Sequence, residues 1–182
     1  MTDNFFSSWL DTADCVARST GAQQLRLAEV ASIADEGYIL TWLSGTTRAP
    51  SSPARAIAFM AGKERGAYFP FEIGDEVLVG FVDGDIDQPV ILGALWSDID
   101  PVPQGVDKSA DNNTRAIVSR EKSKLVFDDS KGATSVTLES AGGMKLVLDD
   151  RGKKLLIQFD KSTTIELSSQ GVTVKGPTIN LN

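Results

Sequence analysis

The feature that most constrains this chain is a repeat in its last third: short runs in which residues i and i+2 are apolar, each followed by a polar turn. The runs are Leu125-Val-Phe127, Val136-Thr-Leu138, Leu146-Val-Leu148, Leu155-Leu-Ile-Gln-Phe159, Ile165-Glu-Leu167, Val172-Thr-Val174 and Ile179-Asn-Leu181. A period of two places both apolar residues of a run on one side of a strand. The last apolar residues of successive runs, Phe127, Leu138, Leu148, Phe159, Leu167, Val174 and Leu181, stand 11, 10, 11, 8, 7 and 7 residues apart. A strand-plus-turn unit repeated at a near-fixed period is the sequence sign of a solenoid or β-helix.

One copy of such a pattern cannot bury itself. Each strand offers about two inward residues, so a flat ladder leaves one apolar face in water. Covering a Leu, Val or Ile side chain is worth roughly 1.5–3 kcal/mol, and three copies wound about one axis would turn all these faces into a common core. The pattern therefore predicts an intertwined homotrimeric β-helix or β-prism needle over residues 114–182. Its inward set is Leu125, Phe127, Val136, Leu138, Leu146, Leu148, Ile157, Phe159, Ile165, Leu167, Val172, Val174, Ile179 and Leu181. The shortening steps predict turns that tighten toward the C-terminus.

Upstream the pattern is that of a small barrel. Residues 1–21 carry Phe5, Phe6, Trp9, Leu10, Ala13, Val16 and Ala17 at roughly helical spacing, with Asp3 or Asn4 as cap and Gly21 as stop. Leu25–Ala31 and Tyr38–Leu43 alternate and flank the turn Asp35-Glu36-Gly37, which reads as a hairpin. Residues 44–56 are loop by composition, Ile57–Met60 is a further short β candidate, and Gly62–Ala67 turns the chain. Val77–Val82 and Pro89–Trp96 are the clearest strands. About five short strands within residues 22–98 match a five-stranded Greek-key barrel, the OB-fold, with Gly80 and Gly93 suited to its tight curvature. Residues 99–113 are rich in Pro, Asp and Asn and read as a linker.

The stretch Tyr68–Trp96 contains Pro70, Gly74, Asp75, Glu76, Val77, Val79, Phe81, Gly84, Asp85, Pro89, Gly93 and Leu95 at the spacing P-x-x-x-G-D-E-V-x-V-x-F-x-x-G-D-x-x-x-P-x-x-x-G-x-L. Each residue has a plain physical role. Gly74-Asp75 turns the chain into a strand, Asp83-Gly84-Asp85 is hairpin-turn chemistry, and Pro89 stands first in a strand, where a missing N–H costs least. The carboxylates of Asp83, Asp85 and Asp87 also admit a calcium reading, but the run is too short for an EF-hand loop.

This stretch resembles the baseplate assembly protein V and VgrG spike family of contractile phage tails and related injectors, and the resemblance extends over roughly residues 25–182. It implies a structural central spike: a homotrimer seated on a tail hub protein at its OB-fold end, with a needle that pierces the target cell envelope. It also implies a place in the tail baseplate of a virion or particle, reached without a signal peptide. Many members of the family close the needle with an iron-binding His-x-His apex. This chain has no histidine, so no cofactor is expected beyond adventitious ions on the axis. The residues at its end, Gly176, Pro177, Thr178, Asn180 and Asn182, form instead the expected platform for a separate tip protein of the PAAR-repeat type.

The composition argues against other classes. Without histidine the chain lacks the commonest general base and transition-metal ligand. Its single Cys15 allows no internal disulfide and reads as a small buried apolar side chain. No apolar run approaches the ~18–20 residues of a membrane span. Some family members insert a muramidase domain between barrel and needle, but residues 97–124 leave no room for one, and no catalytic residues are expected. The alternative to a spike is an OB-fold module that binds oligosaccharide or single-stranded nucleic acid, with Trp42, Tyr68, Phe69 and Phe71 as stacking groups. Residues 25–98 hold 5 Lys/Arg against 11 Asp/Glu, a balance that repels phosphate, and nucleic acid is not an expected partner.

Overall fold

The computed structural model describes residues 25–43, 49–103 and 110–180. The chain divides into two compact units, Met1–Pro101 and Val102–Asn182. The helix expected within residues 1–21 lies outside the described residues.

In the first unit a five-stranded sheet runs in the order β2-β1-β6-β7-β3, built from β1 (Arg26–Ala34), β2 (Gly37–Trp42), β3 (Arg55–Ala56), β6 (Glu76–Phe81) and β7 (Pro89–Ala94). All neighbours pair antiparallel except β3 and β7, which are parallel. The sheet closes on itself at Tyr38 and Ala54, whose backbones exchange hydrogen bonds of 2.9 and 2.8 Å. Closure removes the free edges that an open sheet of this size would carry.

Alternation decides what the barrel encloses. Ala28 and Val30 of β1, Leu40 of β2, Val77 and Val79 of β6 and Ile91 of β7 point inward and are fully buried, joined by Tyr38 and Ala54. Two bulges bend the wall, one in β1 between Val30 and Ser32 and one opposite β6, where Leu92 is the extra residue beside Gly93. At one rim the guanidinium of Arg26 lies 5.5 Å from the Trp42 ring and 5.7 Å from the Phe81 ring, a cation–π cap over the core.

The excursion between β3 and β6 differs from expectation. Ile57–Met60 form no strand; the pairing instead falls on Arg55–Ala56 and on the small hairpin β4 (Ala61–Gly62) and β5 (Arg65–Gly66). Ile57 and Phe59 are exposed, so no neighbouring strand face holds that run in register.

The second unit is a seven-stranded antiparallel meander in the order β14-β13-β12-β11-β10-β9-β8. Its strands are β8 (Thr114–Val118), β9 (Lys124–Asp128), β10 (Ser135–Glu139), β11 (Lys145–Asp149), β12 (Lys154–Gln158), β13 (Thr164–Ser168) and β14 (Gly171–Lys175). Strands spaced about 4.8 Å apart stack this ladder over roughly 30 Å. The turns reuse one chemistry. Ser119 Oγ accepts the Ser123 N–H at 3.0 Å, Ser140 Oγ accepts the Met144 N–H at 3.1 Å, and Asp160 Oδ1 accepts the Ser162 and Thr163 N–H groups at 2.7 Å. Local acceptors of this kind end a strand by offering the backbone another partner.

Candidate assembly surface

The register of the meander lines up two rows across all seven strands. In the first, Ile117, Leu125, Leu138, Leu146, Ile157, Ile165 and Val174 stand opposite one another in turn. In the second, Arg115, Phe127, Val136, Leu148, Leu155, Leu167 and Val172 do the same. Both rows belong to one face, because their positions differ by two in every strand. Thirteen of these fourteen positions are Leu, Ile, Val or Phe. Much of the face is open among the described residues: Leu138 retains 53% and Val172 67% of its surface in water.

Arg115, on the edge strand, is the one charged residue in the rows; its Nη1 donates to Asp129 Oδ2 at 2.5 Å and to the Asn112 carbonyl at 3.3 Å. The other face mixes a central line that includes Val126, Val147 and Leu156 with flanking Lys, Asp, Glu and Ser residues, and is pinned by cross-strand charge. Lys124 and Lys145 approach Glu139 from both flanking strands at 3.2 and 3.3 Å, and Lys154 lies 4.0 Å from Glu166. Partial burial, the largest single influence, acts to raise the Glu139 pKa, but the hydrogen bonds and charges of Lys124 and Lys145 together carry it below the usual carboxylate range.

Of the inward set expected from the sequence, Leu125, Phe127, Val136, Leu138, Leu146, Leu148, Ile157, Ile165, Leu167, Val172 and Val174 occupy the two rows. Phe159 follows β12, its N–H bonded to the Thr163 carbonyl at 3.0 Å. Ile179 is a correction: β14 ends at Lys175 and residues Gly176–Asn180 form no strand. Pro177 has no N–H to give to a ladder. Leu181 and Asn182 lie outside the described residues, while Gly176, Pro177, Thr178 and Asn180 follow the edge strand as irregular backbone. Reasoning from sequence missed Leu155 and Ile117. Leu155 shares the parity of Ile157, which would have found it; Ile117 was masked by Arg115 at i−2.

The barrel motif has its own local geometry. Gly74, at φ +99°, donates its N–H to the Val30 carbonyl at 2.9 Å, and Asp75 Oδ2 accepts the Glu72 N–H at 2.8 Å. Val77 and Val79 enter the core, while Phe81 packs against Trp42 with ring centroids 5.8 Å apart. Asp83 and Gly84 take φ +52° and +74° in a 3₁₀ turn ahead of Asp85. The Asp85 carboxylate accepts from Gln88 Nε2 at 2.9 Å and from the Asp87 N–H at 3.0 Å, bonds that hold its pKa below the usual range. Both oxygens therefore serve the turn, and among the described residues no group of three His, Cys, Asp or Glu is arranged to hold a metal. Pro89 opens β7, Gly93 neighbours the bulge, and the Leu95 N–H bonds the Glu76 carbonyl at 2.9 Å.

Comparison with known proteins agrees with this geometry. Residues 39–96 match the type VI secretion system/phage-baseplate injector OB domain. Over 119 residues, 62% of the chain, the sequence is 30% identical to the type VI secretion system spike protein VgrG5 of Pseudomonas aeruginosa. Over 112 residues, 58% of the chain, it is 24% identical to the spike protein VgrG3 of Vibrio cholerae. The matched regions make up only 15% and 11% of those two relatives. The mainly β chain thus carries an injector OB domain followed by an antiparallel sheet, and over these stretches it is similar to two VgrG spike proteins.

Proposed function

We propose that three copies of this chain join through the two apolar rows into an intertwined needle, the central spike of a contractile tail or secretion-type injector. The observation that carries this reading is the uncovered face holding Ile117, Leu125, Leu138, Leu146, Ile157, Ile165 and Val174 beside Phe127, Val136, Leu148, Leu155, Leu167 and Val172. An apolar patch running the length of a sheet marks a surface that is covered in use. Three such sheets around an axis enclose a dry core, and hydrogen bonding along each ladder supplies the stiffness that force transmission needs. The OB end seats on the tail hub, the irregular backbone Gly176–Asn180 receives a PAAR-type tip protein, and contraction of the sheath drives the needle into the target cell envelope. The work is mechanical, with no catalytic step and no bound cofactor. An OB-fold module for oligosaccharide or nucleic acid is not favoured: such a role leaves the rows of the second unit unused.

Sedimentation velocity with multi-angle light scattering on the full chain tests the assembly. The expected mass is three times 19.5 kDa. A two-copy sandwich, which would cover the same rows, or a stable monomer overturns the trimer.

A further inference from the structure

The sheet carries a second regularity that the apolar rows do not use. β9 and β11 run in the same direction, and each begins with lysine and ends with aspartate: Lys124-Leu-Val-Phe-Asp128 and Lys145-Leu-Val-Leu-Asp149. The register therefore sorts charge to the two lateral margins, where the strands end. Lys124, Glu139, Lys145 and Lys175 fall on the first margin, and Asp128, Asp149 and Lys154 fall on the second. The strand ends of the first margin are basic on balance and those of the second acidic. The first and fifth residues of a strand share the parity of its centre, so these groups lie on the face opposite the rows.

The groups are placed to act outward. Lys124 and Lys145 share the single carboxylate of Glu139, which leaves one positive charge over, and their side chains are 41% and 38% exposed. Asp128 and Asp149 are each fixed by their own turn. Oδ1 of Asp128 accepts the Ser130 N–H at 2.8 Å, and Oδ1 of Asp149 accepts the Gly152 N–H at 2.8 Å.

Copies set around an axis that runs up the ladder bring unlike margins together, because rotation carries the first margin of each sheet to the second margin of its neighbour. With strands at equal height, Lys124 meets Asp128 and Lys145 meets Asp149. The other charged ends then meet neutral ones: Glu139 meets Ser135, Lys154 meets Gln158 and Lys175 meets Gly171. A seam stepped by one strand has neither ion pair. In one direction it sets Glu139 against Asp149 and Lys145 against Lys154; in the other it sets Glu139 against Asp128. A step of two strands leaves two of the seven strands without a neighbour at each seam. Repulsion in the wrong arrangement is how charge selects a register.

We infer that adjacent copies meet along a same-level zipper, Lys124 to Asp128 and Lys145 to Asp149 of the next copy, which fixes their axial register. The inference rests on the three-copy reading given above and adds what that reading lacks. Rows that are apolar at almost every level reward burial at any height, whereas the margins reward one height alone.

The test is disulfide capture in the full chain carrying Cys15→Ser, so that introduced thiols are the only ones. Lys145→Cys with Asp149→Cys places them at the two ends of one five-residue strand. These ends lie about 13 Å apart, beyond the roughly 7 Å between Cα atoms that a disulfide can bridge, so every bond joins two copies. Oxidation with copper phenanthroline should give a covalent trimer on boiled, non-reducing gels, and either single substitution should not. Lys145→Cys with Lys154→Cys, or with Ser135→Cys, reads the seams stepped by one strand and should give at most about a tenth of that yield. Asp128→Lys, added to the same-level pair, turns the remaining contact at each seam into two lysines and should cut capture roughly tenfold. Light scattering on the reduced proteins separates the two readings. A monomer or dimer defeats the three-copy reading and the zipper with it. A trimer that shows no same-level capture, that captures stepped pairs equally well, or that ignores Asp128→Lys overturns the zipper alone.

Discussion

Leu148 stands directly opposite Leu155 across the β11–β12 pair and opposite Val136 across the β10–β11 pair, and it is 46% exposed. Aspartate at 148 would set three carboxylates near one level of the proposed core, where charge without a partner is far costlier than the roughly 1.5–3 kcal/mol of lost leucine burial per copy. If the rows form the proposed three-copy core, the parent should run as a heat- and SDS-resistant trimer and Leu148→Asp should abolish it. Val147→Thr, on the opposite face, should keep it. Band position on unboiled gels reads the outcome, and a Leu148→Asp protein as resistant as the parent would contradict the inward assignment.

Glu139 predicts how the sheet responds to acid. Its pKa is depressed in the folded protein by Lys124 and Lys145, so its contribution is present above the carboxylate's unfolded pKa and is lost as pH falls through the folded value. Glu139→Gln should therefore lower the thermal midpoint near neutral pH, with the gap to the parent closing progressively below about pH 4. A gap that stays constant with pH would show that the ion pairs add nothing. Differential scanning calorimetry at several pH values reads it.

Gly37 predicts the strength of barrel closure. It sits at φ +143°, and a Cβ there would come 2.3 Å from the Ala54 carbonyl oxygen, at the bridge that closes the barrel. Gly37→Ala forces both a strained backbone and a clash with main chain, a cost of at least about 1–3 kcal/mol. The calorimetric transition of the OB unit should fall while that of the sheet is preserved; an unchanged first transition would mean that closure at Tyr38–Ala54 contributes little.

The end of the sheet predicts a partner. β14 is an edge strand, followed by Gly176–Asn180 outside the ladder, and open edges are sites for further pairing. A PAAR-type tip protein should bind the full-length assembly in surface plasmon resonance and bind a chain ending at Lys175 at least tenfold more weakly. Equal affinities would place the tip contact elsewhere or remove it.

Much of this architecture is legible in the sequence. The i, i+2 spacing of Leu125 and Phe127, Leu146 and Leu148, or Val172 and Val174 names a strand face without reference to neighbours, because side-chain direction along a strand has a period of two. The turn chemistry of Asp83-Gly84-Asp85 was equally local, since each bond it makes lies within a few residues. Ile57–Met60 misled for the opposite reason: an apolar run becomes a strand only where another strand accepts it, and here Arg55–Ala56 took the pairing with β7.

Local sequence, then, determined which segments extend, where they turn and which side of each is apolar, because those properties depend on residues a few positions apart. The tertiary structure alone decided that the barrel closes at Tyr38 and Ala54, that Ile117 lines up opposite Leu125 in the first row, and that Glu139 sits between Lys124 and Lys145. Those facts rest on register, and register is settled only when strands distant in sequence meet and the pairing that aligns their apolar sides outweighs every slipped alternative.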